Sequence, residues 1–232
     1  MELFTRGRTQ ARAAHSATAY LEALLADAAP VSFRPTRAPG PAGVVAAPVV
    51  VAAARPRPVA DTPSADHCVQ LYWHDTEIVT ALADFVQAGL EGGETILVVA
   101  TRAHRGALEA TLAGRGHDLT GARYTVLDTE KALAALLDGG AIDPDRFAGT
   151  VGRLVRDLAG EGRPVRIYGE MVGLLWGDGD VVGAMHLEAL WNQLRADVPF
   201  TLLCGYGLRS GDNRSWLHAL CRLHGGTAGP RT

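Results

Sequence analysis

From residue 67 onward the sequence predicts an α/β domain: a mostly parallel sheet with helices on both faces. Three observations carry this. Short apolar runs alternate with segments of helical periodicity. The run at residues 94–101 (ETILVVAT) is apolar almost throughout, as a strand covered on both sides must be. Glycines, prolines and capping residues fall between the runs, where turns are needed.

The elements follow in order. Residues 68–73 form the first strand, after which Asp75 or Thr76 caps a helix through Leu90 that Gly89, Gly92 and Gly93 help to end. Residues 94–101 are the second strand, and residues 104–113 are a helix with Gly114 and Gly116 as stop signals. Residues 123–128 are the third strand. Thr129 caps a helix over 130–137, and Asp143-Pro144 opens another that runs to Ala159 with proline in its first turn. In the fourth strand, residues 165–170, alternation places Arg166, Tyr168 and Glu170 on one side and Val165, Ile167 and Gly169 on the other. A polar side ending in a carboxylate predicts that this strand's end opens onto something. The next helix carries Met185, Glu188 and Asn192 at helical spacing beside a stripe of Leu187, Leu190, Trp191 and Leu194. Glu188 borders the packed face, with a solvated helix edge as the alternative for Glu188 and Asn192; Trp191 reads as core before it reads as a ligand contact. Residues 200–206, flanked by Pro199 and Gly205, are the fifth strand.

Outside this region the pattern changes. Residues 1–29 are Ala-rich and end in a small stripe of Tyr20, Leu21, Leu24 and Leu25, read as a short helical segment. Residues 30–66 hold eight prolines among Ala, Val and Arg and read as a disordered linker. The folded domain is expected over 67–224, with a flexible tail at 225–232. With 232 residues, 47% hydrophobic and 20% charged, the chain can bury a sizeable core. A formal net charge of -3 gives no basic face for nucleic acid. Three scattered cysteines, Cys68, Cys204 and Cys221, make no disulfide framework, and no run is long enough to span a bilayer, so a cytoplasmic protein is expected.

The carboxyl ends of parallel strands are the default ligand edge. Here they hold Trp73, His74, Asp75, Thr101, Arg102, Asp128, Thr129, Glu170, Met171 and Tyr206. A phosphate-binding loop is absent: between Tyr72 and Leu82 there is neither glycine nor lysine to cradle phosphates. No nucleophile elbow exists, and every serine lies outside the regular region. His67 with Cys68, and Cys221 with His224, make at most half of a zinc signature, so no metal and no cofactor is expected. His74 and Glu170 are an acid/base candidate pair across adjacent strand ends, with a loop-positioning hydrogen bond as the alternative.

The stretch HCVQLYWHDTEIVTALADFVQAGLEGGETILVVAT, followed by RIYGEMVGLLW, LEALWNQL and FTLLCGY, resembles the MEDS domain, the methanogen and methylotroph sensory domain. The resemblance covers residues 67–206 and extends toward His224, and the YGEM-x₄-W and LE-x-LWN pieces carry most of it. It implies a RecA/KaiC-like fold that has lost its phosphate loop, a sensor of small molecules such as hydrocarbon derivatives, and a setting beside DNA-binding, kinase or anti-sigma modules. Position by position it carries over His67, Tyr72, His74, Thr101, Tyr168, Glu170, Met171, Trp176, Glu188, Trp191, Asn192 and Tyr206. All but His67 are taken as ligand-binding candidates, with Tyr72, Trp176 and Trp191 as apolar walls and His74, Glu170 and Glu188 as polar contacts. No output domain is recognisable in the N-terminal portion.

The resulting expectation is a non-enzymatic sensory domain that binds a small molecule at the strand ends and signals through a protein partner, whether a kinase, an anti-sigma factor, a regulator or a second copy. No direct nucleic-acid or membrane binding is expected. The competing readings are a protein-interaction module with a vestigial nucleotide site, and an acid/base enzyme using His74 and Glu170.

Overall fold

The computed structural model describes residues 66–121, 123–209, 212, 220, 224 and 226–228. The helical segment and nearly all of the linker expected over residues 1–66 lie outside the described residues, as does Cys221.

The chain runs β1 (His67–Tyr72), α1 (Asp75–Glu91), β2 (Thr95–Ala100), α2 (Arg102–Gly114), β3 (Tyr124–Asp128), α3 (Thr129–Leu136), β4 (Leu137–Asp138), β5 (Ala141–Ile142), α4 (Pro144–Gly149), α5 (Val151–Ala159), β6 (Val165–Gly169), α6 (Met171–Gly177), α7 (Val181–Asp197), β7 (Thr201–Gly207) and β8 (Gly226–Ala228). Six strands form one sheet in the order β3-β2-β6-β7-β1-β8, and every pairing in it is parallel. All carboxyl ends therefore lie along one edge.

Period-two alternation divides the core in two. On one face Ile96, Val98, Ala100, Tyr168 and Leu203 pack under Ile78, Leu82, Phe85 and Val86 of α1 and Leu108 and Leu112 of α2. On the other, Leu97, Val99, Ile167, Leu202, Cys204 and Tyr206 pack under α3 to α7, with Trp191 seated between Phe147 and Phe200. The buried apolar side chains of both faces supply the main driving force for folding.

Local departures from the expected elements have physical causes. The helix expected from Pro144 to Ala159 is broken at Thr150, whose φ of -109° and ψ of -96° lie outside the helical region, beside Gly149 and Gly152. Gly139 and Gly140, at φ of 56° and 87°, close a two-residue hairpin between β4 and β5 that the sequence reading passes over. The segment expected as a tail supplies β8, which pairs with β1 from Cys68↔Gly226 to Gln70↔Ala228. Asp128, not Thr129, caps α3, its side chain accepting from the Lys131 N–H. Among the described residues no helix is long and apolar enough to cross a membrane.

Candidate functional site

β2 feeds α2 on one face of the sheet, and its neighbour β6 feeds α6 and α7 on the other. Two adjacent parallel strands that diverge to opposite faces leave a crevice outside their carboxyl ends, the position at which open α/β sheets hold ligands. Thr101 and Glu170 are the residues that follow the two strands. The Thr101 N–H donates to Glu170 Oε2 at 2.7 Å, and the Glu170 N–H donates to the Val99 carbonyl at 3.0 Å.

Glu170 is the hub of a network. Its Oε1 accepts from the Tyr168 hydroxyl at 2.7 Å and faces His104 Nδ1 at 2.5 Å. His104 Nε2 in turn lies 3.4 Å from Asp75 Oδ1, and the Tyr72 ring stands edge-on to the imidazole with centroids 6.1 Å apart. Thr101 contributes twice, since its hydroxyl also caps α2 by accepting from the His104 N–H at 3.3 Å. The imidazole is thus held at the first turn of α2, over the carboxylate. Its pKa is raised, first by the hydrogen bond to Glu170, against the opposing effect of burial. The Tyr168 phenol is pushed far up by burial and then by the Glu170 charge, and Tyr72 is pushed up by the same two causes in the same order. Both phenols stay protonated donors. Gly205 makes room for this arrangement: a Cβ there would lie 2.6 Å from the Tyr168 phenol oxygen.

The sequence places Arg166, Tyr168 and Glu170 on one side of their strand, and they do share it. That side does not open freely: Arg166 is buried, forks onto Glu94 at 2.8 and 2.9 Å and stacks on Phe85 at 4.7 Å. Gly89 of α1 leaves the space for its side chain.

All the candidate residues but His74 divide into three groups. Tyr72, Thr101, Tyr168 and Glu170 converge at the crevice. Glu188, Asn192 and Tyr206 belong to a second network, buried on the opposite face: the Tyr206 hydroxyl donates to Glu188 Oε1 at 2.6 Å, and Asn192 Oδ1 faces His67 Nδ1 at 2.9 Å. Glu188 is fully buried, which removes the solvated-edge alternative for it. Met171, Trp176 and Trp191 are core, with Trp176 edge-on to Tyr206 at 5.7 Å and Trp191 held by phenylalanines.

The pairing of His74 with Glu170 is corrected. His74 is exposed at the N-cap of α1, where its N–H and that of Trp73 donate to the Glu77 carboxylate at 3.3 and 2.8 Å, and no hydrogen bond joins it to Glu170. The partner of Glu170 is His104, to which the sequence pattern assigns only the start of the helix over 104–113. The available signal was its place three residues after Thr101, a position a capping residue turns toward the strand end.

Fold and networks define an α/β domain with a polar, ordered cluster at the switch point of a parallel sheet. The chain matches the MEDS family, described as the MEthanogen/methylotroph, DcmR Sensory domain, over residues 66–225, and it belongs to that family. No curated protein matches it.

Proposed function

We propose that this chain is a non-enzymatic sensory domain that binds a small molecule at the crevice between β2 and β6 and signals by associating with a protein partner. Membership of a sensory-domain family supports the sensory role. The observation that carries the site is the Glu170 network at the switch point, where one carboxylate orders Thr101, Tyr168 and His104 in the position that open sheets use for ligands.

The chemistry favours binding over catalysis. Both oxygens of Glu170 are engaged by groups of the protein itself, so the carboxylate positions its neighbours. His104, Tyr72 and Asp75 present the outward side. The hydrocarbon-derived small molecule expected as ligand would lie against the Tyr72 ring and meet the imidazole. Nucleotide is the disfavoured occupant: β1 passes to α1 through Trp73 and His74 alone, two residues with no glycine to cradle a phosphate. Binding shifts signalling only where it favours one conformation or assembly over another. Trp73, 49% exposed beside the same edge, gives the protein-interaction reading its specific support, and on that reading the edge itself is the docking surface.

A thermal-shift panel of nucleotides and of small apolar and halogenated compounds tests the proposal. One compound class should raise the melting temperature, through binding to the native state, and His104→Ala and Tyr72→Ala should abolish that rise while remaining folded. A rise that survives both substitutions, or one given by nucleotides alone, overturns it.

A further inference from the structure

On the other face of the sheet, outside the crevice, four side chains from four separate segments converge: His67 of β1, Glu188 of α7, Cys204 of β7, and His224 ahead of β8. All are buried, and one ligand atom from each lies within 4.8 Å of the others. We propose that they form a binding site for a divalent transition-metal ion of borderline softness, Zn²⁺ first.

Geometry is the first support. A tetrahedral ion with bonds of about 2.0–2.3 Å to nitrogen, oxygen and sulfur holds its ligand atoms roughly 3.3–3.7 Å apart. His67 Nε2 lies 3.2 Å from Glu188 Oε2 and 3.3 Å from Cys204 Sγ, and Sγ lies 3.7 Å from the same Oε2. These three atoms outline one face of such a tetrahedron. His224 Nε2, 3.3 Å from Glu188 Oε1, supplies the fourth corner.

Hydrogen-bond accounting is the second and independent support. His224 Nδ1 is committed to the Leu220 carbonyl at 2.7 Å, and His67 Nδ1 to Asn192 Oδ1 at 2.9 Å. Both partners are acceptors, so both Nδ1 atoms carry the proton and both Nε2 atoms turn their lone pairs inward. That is the arrangement by which outer groups fix metal-binding histidines. His224 Nε2 is buried and, although near Glu188, makes no hydrogen bond to it. Without a cation, His224 Nε2 stands unpartnered beside a buried carboxylate, and His67 Nε2 has only the Cys204 thiol as a hydrogen-bond partner. With one, the accounting closes. The Cys204 thiol loses its proton to solvent as the metal–sulfur bond forms, and a dication with one thiolate and one carboxylate leaves a neutral centre. The Tyr206 hydroxyl, donating to Oε1, leaves Oε2 to the metal. Four protein ligands make a closed site of the structural kind. It would staple the segment carrying His224, and with it β8, onto the sheet.

The test uses the full chain, stripped with chelator and titrated with Zn²⁺ and Co²⁺. One equivalent of metal per chain should bind and raise the melting temperature, and the Co²⁺ form should show intense tetrahedral d–d bands with a thiolate-to-metal charge-transfer band. Cys204→Ser should remove the charge-transfer band, Cys68→Ser should keep it, and His224→Ala should lower affinity at least 10-fold, the usual loss on removing a supporting group being about 10–100-fold. Substoichiometric binding by the wild-type chain, or a Co²⁺ spectrum lacking the thiolate band, overturns the proposal whether or not the variants fold.

Discussion

The Glu170 and Glu188 networks are built from the same parts and do opposite things with them. Each centres on one carboxylate that accepts from a tyrosine hydroxyl and faces at least one imidazole. At Glu170 the chain of contacts leads outward through His104 to Asp75, whose side chain is 80% exposed. At Glu188 every partner is buried, and the second imidazole closes the cluster from behind. Burial alone would raise the Glu188 pKa, but the two imidazoles beside it, His224 and His67, outweigh burial and hold the carboxyl well below its usual range. The Cys204 thiol and the Tyr206 phenol are pushed up, by burial first and then by the Glu188 charge. Position in the sheet, not residue type, makes one network addressable from solvent and the other a sealed centre.

The largest expected effect is therefore a difference between two equivalent truncations. Glu188→Ala leaves the Tyr206 phenol unpaired and opens a cavity with no access to water, and should cost about 3–5 kcal/mol, as large-to-small truncations in a core do. Glu170→Ala leaves groups that water can reach through the crevice, and should cost about 1–3 kcal/mol. Urea midpoints of the two variants, at unchanged m-value, measure the difference. Equal costs would mean that the crevice is as closed as the core.

How much of this could be read in the sequence follows the same division. The parallel sheet, the main helices and the shared side of Arg166, Tyr168 and Glu170 were legible, because period-two and period-3.6 patterns are local. So was the edge on which Thr101 and Glu170 meet, because parallel strands put all carboxyl ends together. The partner of Glu170 was not. His74 and His104 both sit at helix starts beside strand ends, and only the sheet order, with β2 beside β6 and β1 two strands away, decides which one reaches the carboxylate. The Glu188 cluster was less legible still. Spacing pairs His67 with Cys68 and Cys221 with His224, whereas the fold pairs His67 with Cys204 across 137 residues. Alternation alone turns Cys68 to the opposite face from His67. Metal signatures on one loop leave a spacing to find, but ligands drawn from β1, α7, β7 and the segment before β8 do not.

A smaller effect should appear in the pH dependence of stability between slightly acid and alkaline pH, and it comes from His104 of the open network. The raised His104 pKa means that the folded chain binds this proton more tightly than the unfolded chain does. Its contribution is fully present below the unfolded value, about 6.5, and is lost as pH rises through the folded value. Glu170 at the end of β6, Asp75 of α1 and Tyr72 of β1 are the titratable groups facing it, and both tyrosines of the network stay protonated across this window. Denaturation midpoints should therefore fall from slightly acid to alkaline pH in the wild type, and His104→Gln should flatten that decline. An unaltered slope in the variant would assign the pH dependence elsewhere.

The smallest effect belongs to His74, and its smallness is the point. Its side chain is exposed, and the Glu77 carboxylate that organises the start of α1 is held by backbone N–H groups that His74→Ala leaves in place. Stability should change by no more than about 0.5 kcal/mol, the low end of the range for an N-cap side chain. If the crevice between β2 and β6 is the ligand site, any compound-induced rise in melting temperature should also survive His74→Ala and be lost in His104→Ala. The opposite outcome, a rise that needs His74 and ignores His104, would move the site one strand pair along the edge, to the end of β1 beside exposed Trp73. The Glu170 network would then be a brace for α2, as closed in function as the Glu188 cluster is in structure.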